Sequence, residues 1–229
     1  MATESFVKPE LFEFLVELKA NNNREWFNRN KKRYEKEVRG PLLRFIEDFS
    51  VPLRTISPHF VASPKKVGGS LFRIYRDVRF SADKSPYKTA VGIQFRHEAG
   101  KNAHCPGYYL HLEPSNVFVA MGLWQPDNPT LLKLRSAIAG QAGEWKSAKG
   151  AEPFCTEFTL GGESLKRAPK GFDPEHPLIE DLKRKDFVAF KNLEQKETYS
   201  ADFFNRFVEL CRLGNPFMEF LTRSIGVPW

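Results

Sequence analysis

Along the first fifty residues, apolar side chains return with a helical period. Leu11, Phe14, Leu15 and Leu18 fall at i, i+3, i+4 and i+7, Pro9 suits a first turn, and the run Asn21 to Asn23 supplies a stop. Asn23 then reads as the N-cap of a second helix whose face carries Phe27, Tyr34 and Val38, ended by Gly40-Pro41. Leu42, Phe45, Ile46 and Phe49 mark a third.

From about Phe60 the period drops to two, the signature of half-buried strands. Val91, Ile93 and Phe95 alternate with Gly92, Gln94 and Arg96; Tyr108, Leu110 and Leu112 with Tyr109, His111 and Glu113; Val117, Val119, Met121 and Leu123 with Phe118, Ala120, Gly122 and Trp124. The break at 113–116 joins the last two as an antiparallel hairpin, although Pro-Ser is not a favoured two-residue turn. A two-residue turn there pairs His111 with Phe118 and Tyr109 with Ala120, leaving small residues beneath Tyr109, His111 and Glu113. Residues 72–80, "FRIYRDVRF", also alternate, with Arg76 in an apolar slot.

After Trp124 the helical period resumes at Leu131, Leu134 and Ile138. Phe154 to Leu160 reads as a further strand and Pro177 as the start of a short helix. Ala201 to Leu213 and Pro216 to Ser224 read as the closing helices. The expected fold is a single α+β domain over 1–229: helices over 1–56, an antiparallel sheet over 60–124, and helices with a basic loop over 125–229.

Charge changes this picture in one place. The chain of 229 residues carries a net +7, and between Lys65 and Lys101 nine bases face three acids. Such a segment concentrates anions, whether phosphate on a metabolite or on a nucleic acid backbone. Its alternative is a solvated basic surface.

No apolar run approaches bilayer length, and the N-terminus lacks the layout of a secretory signal. Cys105, Cys155 and Cys211 are scattered, which suits reduced thiols in the cytoplasm. His97, His104 and His111 recur every seven residues near Cys105 and Glu113, but strand and loop do not gather that spacing. With no HExxH or paired cysteines, no metal is expected. GxSxG, GxGxxG and GxxxxGK are also missing, so neither a serine hydrolase nor a cofactor fold is indicated.

Three groups of residues carry candidate chemistry. Arg73, Arg76, Arg79, Lys84, Lys88 and Arg96 offer forked and point-charge donors for an anion. Arg76 has a second reading, an ion pair with Asp77, Glu113 or an acid of the 163–181 loop. Tyr75, Tyr87 and Tyr109 supply rings to pack on the rest of a ligand. His111 with Glu113, two residues apart on one strand face, form a candidate acid/base pair, set against a structural histidine. Lys166, Arg167, Lys170 and Lys183 to Lys185 could form a lid. "NNNREWF" reads as paired helix caps with core anchors, or as a pocket rim through Arg24 and the spare asparagine amides.

The stretches "NNNREWF", "GSLFRIYRDVRFSADKSPYKT", "PGYYLHLEP", "LKRAPKGFDPEHPLIEDLKRKDF", "PFMEFL" and "GVPW" together resemble the domain of unknown function 2461 family of conserved hypothetical proteins, over nearly the whole chain. The resemblance implies no activity and carries over no catalytic residue. It departs at Ala82, where a lysine is usual, and at Ser115, where a glycine is. The residues themselves point first to a pocket on the sheet for a phosphate-bearing small molecule. A nucleic-acid-binding module comes second, and a structural or partner-binding protein third.

Overall fold

A computed structural model describes residues 5–100 and 105–229; Lys101 and His104 lie outside the described residues. Helix α1 (Pro9–Ala20) buries Leu11, Phe14, Leu15 and Leu18 on one face. Helix α2 (Arg24–Arg33) starts where the Asn23 side chain accepts the Trp26 N–H at 2.9 Å.

Gly40-Pro41 does not break the helix as expected. A π-helical turn, Tyr34–Arg39, carries α2 directly into α3 (Gly40–Ile56). The N–H of Gly40 reaches back to the carbonyl of Glu35, five residues earlier. That wider turn makes room for the ring of Pro41, which can donate no bond and would crowd the carbonyl four residues before it.

Six antiparallel strands form one sheet in the order β1-β2-β3-β4-β6-β5. They are β1 (Phe60–Val61), β2 (Val91–His97), β3 (Gly107–Glu113), β4 (Asn116–Leu123), β5 (Thr159–Gly161) and β6 (Phe187–Leu193). The hairpin register is the one expected, His111 opposite Phe118 and Tyr109 opposite Ala120. Its turn places Ser115 at φ 64° after Pro114, and the Gln195 side chain accepts the Ser115 N–H at 3.1 Å.

One sheet face is wholly internal. Ile93, Phe95, Tyr108, Leu110, Leu112, Val119 and Leu123 are buried there against α1, α3, α8 (Phe203–Leu213) and α9 (Asn215–Ser224). Between them run α4 (Asn128–Gly140), α5 (Ala142–Gly150), α6 (Phe154–Glu157) and α7 (Ile179–Leu182). Thus Phe154 opens a helical turn, and only Thr159–Gly161 of the strand expected at 154–160 is extended. Among the described residues no helix is long and apolar enough to cross a membrane.

The segment 72–80 is not a strand. Leu71 bridges Ile93 on the edge of β2, and Tyr75 bridges Tyr87 within a narrow loop that folds back on itself. Phe80, counted with the apolar face, is 95% exposed. Only isolated bonds hold this loop, such as Phe72 N–H to Gly92 O at 2.9 Å and Arg76 N–H to Pro86 O at 2.9 Å. Alternation alone did not distinguish a loop wrapped around a sheet edge from a strand within it.

Candidate functional site

The second face of the sheet is only partly covered, and its composition explains why. Gly92 lies opposite His111, Gln94 opposite Tyr109, Ala120 opposite Tyr109 from the other side, and Gly107 opposite Gly122. Small residues therefore form a low floor, with aromatic rings standing beside it. A Cβ on Gly92 would come within 2.5 Å of the Tyr109 hydroxyl and 3.0 Å of the Phe72 ring. Glycine there lets both rings lie across the strand.

The result is a cleft of two lobes that share Phe72, Tyr109 and His111. One lobe, of about 460 Å³, carries Lys19, Arg76 and Lys88 along with Asp83 and Ser85. The other, of about 440 Å³, is lined chiefly by Phe118, Ala120, Trp124, Val188 and Phe190.

A row of polar groups stands at the junction. The Tyr109 hydroxyl lies 3.1 Å from His111 Nδ1, and His111 Nε2 lies 3.4 Å from a Glu113 carboxylate oxygen. The imidazole is stacked on the Phe118 ring, with centroids 4.6 Å apart and planes 12° apart, so its orientation is fixed. Glu113 also accepts the Asn116 amide at 3.0 Å. That bond, then the His111 contact, holds the carboxyl below its ordinary range against the opposing effect of burial. Burial, with Glu113 adding to it, pushes the Tyr109 phenol up to about 12. The row therefore has an ionised end at Glu113 and a protonated end at Tyr109.

The positive groups are less uniform than the sequence suggested. Lys88 is half-buried, with its ammonium 5.4 Å from the Phe72 ring centroid and no carboxylate in salt-bridge reach among the described residues. Burial, and then the positive charge of Arg73, draws its pKa down. Arg76 is instead neutralised by Asp83, the short-range partner that answers its place in the pattern. Asp83 is held in turn by the Ser85 N–H at 2.9 Å and the Ser85 hydroxyl at 2.6 Å.

Arg79 is exposed and paired with Asp77 at 2.7 Å, Lys84 donates to Val78 O at 3.0 Å, and Arg96 donates to Gly68 O at 3.1 Å. None of these three lines the cleft. Arg73 faces a separate hollow of about 270 Å³ across the 71–75 segment, beside Lys31, Lys65 and Lys66. Tyr87 lines the basic lobe, whereas Tyr75 packs on Tyr87 and Phe27 outside it.

Lys19 is the contributor that sequence reasoning missed, whereas Asn22 lines the basic lobe as the rim reading of the asparagine run expected. Asn22 holds both backbone groups of Tyr87, its amide donating to Tyr87 O at 2.9 Å and its carbonyl accepting the Tyr87 N–H at 3.1 Å. Phe27 stacks on the Tyr87 ring at 4.2 Å. The asparagine run thus does more than cap helices: it fixes the basic loop one residue before Lys88. Arg24 does not line the cleft.

No residue of the 163–185 segment, expected as a lid, lines either lobe. It is held down by ion pairs, Lys185 with Glu163 at 2.6 Å, Lys183 with Glu180 at 2.7 Å, and Lys149 with the buried Asp181 at 2.6 Å. Buried Asp186 ties it further, accepting the Gln125 N–H at 2.7 Å and the Glu163 N–H at 2.8 Å. His97 lies on the internal face, opposite in direction to His111, and bonds to Pro228 O at 2.8 Å and the Ala99 N–H at 3.1 Å. Among the described residues no three potential metal ligands gather.

A search of curated proteins found no match. The family model described as "Conserved hypothetical protein (DUF2461)" matches residues 10–220, most of the chain, and the protein belongs to that family.

Proposed function

We propose that the protein binds a phosphate-bearing or similarly anionic small molecule in the cleft on its sheet, with His111 able to carry a proton beside it. The observation that supports this reading is Lys88. A half-buried ammonium with a like-charged neighbour and no carboxylate partner among the described residues costs free energy in the unliganded protein, and an anion offsets that cost. Lys19 adds a second, more exposed positive charge on the same lobe.

Beside that anion the Tyr109, His111 and Glu113 row is arranged as a proton relay. With Glu113 accepting Nε2–H, Nδ1 takes the hydrogen bond of the Tyr109 hydroxyl. A ligand X–H that transfers its proton to the Tyr109 oxygen, as the phenolic proton passes to Nδ1, leaves X⁻ and an imidazolium steadied by Glu113. The reverse transfer returns the proton. In this reading Tyr109 and His111 act as acid and base in turn, without a nucleophile.

Nucleic acid is the second reading, favoured by the Lys31, Lys65, Lys66 and Arg73 hollow, which extends positive charge beyond the cleft. Thermal-shift titration separates the two. Inorganic phosphate and phosphate monoesters should raise the melting temperature of the wild type and of Arg79→Ala, and should fail to do so for Lys88→Met. The effect should persist at high salt, because a half-buried contact is weakly screened. Stabilisation by oligonucleotides alone, lost at high salt, would instead establish the backbone reading.

A further inference from the structure

The anion-binding lobe does not end at Tyr109 and His111. Through those two residues and Phe72 it adjoins a lobe whose lining is almost entirely carbon: the Phe118 and Phe190 rings, Val188 and the half-exposed Trp124. Resting on the anion reading above, we infer that the natural ligand is amphipathic, a flat aromatic body carrying one anionic group, with the anion at Lys88 and the ring over Ala120.

Three features point to flatness and to a small molecule. The floor consists of Gly107, Ala120 and Gly122, whose side chains barely rise above the backbone, and Phe118 and Phe190 pack edge to face beside it at 5.7 Å. The Phe190 ring is itself set low, because a Cβ on Gly161 would meet it at 2.9 Å. Counting across from β2 to β6 gives three inter-strand steps, roughly 14 Å. That span suits an anionic head plus a fused ring pair and is short for a docked peptide or helix. The shared residues also give the arrangement chemical sense: the Tyr109 hydroxyl stands where head and body of such a ligand join.

The test compares 2-naphthyl phosphate, n-octyl phosphate, 2-naphthol and inorganic phosphate by calorimetry and by Trp124 fluorescence, the latter assigned with Trp124→Phe. Removing about 100 Å² of ring surface from water is worth a roughly 50-fold gain in affinity. The expected order is therefore 2-naphthyl phosphate at least about tenfold tighter than inorganic phosphate, with n-octyl phosphate and 2-naphthol weaker than the naphthyl ester. Ala120→Leu, which raises the floor, should abolish that advantage while inorganic phosphate still binds. Trp124→Ala, at the exposed rim, should reduce it several-fold with the fold intact by circular dichroism.

Phosphate binding with no gain from the ring overturns this inference and leaves the anion reading standing. Equal affinity for the octyl and naphthyl esters overturns the flat body. Equal binding of 2-naphthol and its phosphate, unaffected by Lys88→Met, overturns the anion reading and this inference with it. A concentration-dependent dimer that shields Trp124 while no probe binds would assign the apolar lobe to a second copy of the chain instead.

Discussion

Asn22→Ala should unlatch the basic loop from the helices. Asn22 makes two hydrogen bonds to the backbone of Tyr87, 2.9 Å to its carbonyl and 3.1 Å from its N–H, across 65 residues of sequence. Each is part-buried, so each contributes about 1 kcal/mol net, and water reaches the freed groups only in part. The loss is then about 2 kcal/mol. For a chain of this size 1 kcal/mol moves the melting temperature by about 2–4 °C, which gives a drop of about 4–8 °C by calorimetry. Asn22→Asp should not rescue, because it keeps the acceptor for Tyr87 N–H yet sets a carboxylate against Tyr87 O.

The same variant bears on the site. Lys88 follows Tyr87 directly, so a loop that leaves its position lowers the fraction of molecules competent to hold an anion and weakens apparent affinity by that fraction. Phosphate affinity should fall severalfold along with stability. A melting temperature within about 1 °C of wild type would refute the reasoning, because it would mean that Phe27 stacking on Tyr87 at 4.2 Å already fixes the loop.

Lys88→Met should stabilise the unliganded protein at neutral pH while removing phosphate binding. The folded pKa lies below the ordinary value, so the native state binds fewer protons than the unfolded chain between the two values. Wild-type stability should therefore rise with pH across that alkaline window, a rise that urea titrations should find missing in the variant. Tyr108→Phe should raise stability by about 1 kcal/mol in denaturant titration, since the fully buried Tyr108 hydroxyl has no hydrogen-bond partner among the described residues; a loss of similar size would reveal one. Ser115→Gly should stabilise by about 0.5–1 kcal/mol by relieving φ 64° at the hairpin turn, and unchanged stability would show that glycine's added freedom in the unfolded chain offsets the relieved strain.

Much of the fold could be read from period alone. The four apolar positions of α1 and the alternations of β2, β3 and β4 appear as expected because each element sets its large apolar side chains on one face, toward the core, and mostly polar or small ones on the other. Strand β6 was not legible. Phe187, Val188 and Ala189 are buried on both faces, so no alternation marks them. The site was legible in its strand half, Tyr109, His111 and Glu113, because a two-residue turn fixes register locally. Its other half was not. Arg76 and Arg79 are neutralised by Asp83 and Asp77 through loop geometry, and Asn22 reaches Tyr87 only after the chain has folded.

These two halves explain why a cleft exists at all. An antiparallel sheet can leave one face to solvent, but rings such as Phe118 and Phe190 would normally be covered there. The edge of β2 is paired only in pieces, by β1 at Phe60–Val61 and by the Leu71 bridge, and beyond Leu71 the chain leaves the ladder. A continuous edge strand would have held residues 72–90 in the plane of the sheet. Because it stops, Phe72 turns onto the open face beside Tyr109, with their ring centroids 6.0 Å apart, and brings Lys88 above it. The irregular segment therefore gives the sheet a wall and a charge on one side only. The partly covered apolar floor and an ammonium that meets no carboxylate among the described residues are two consequences of that single break in strand pairing.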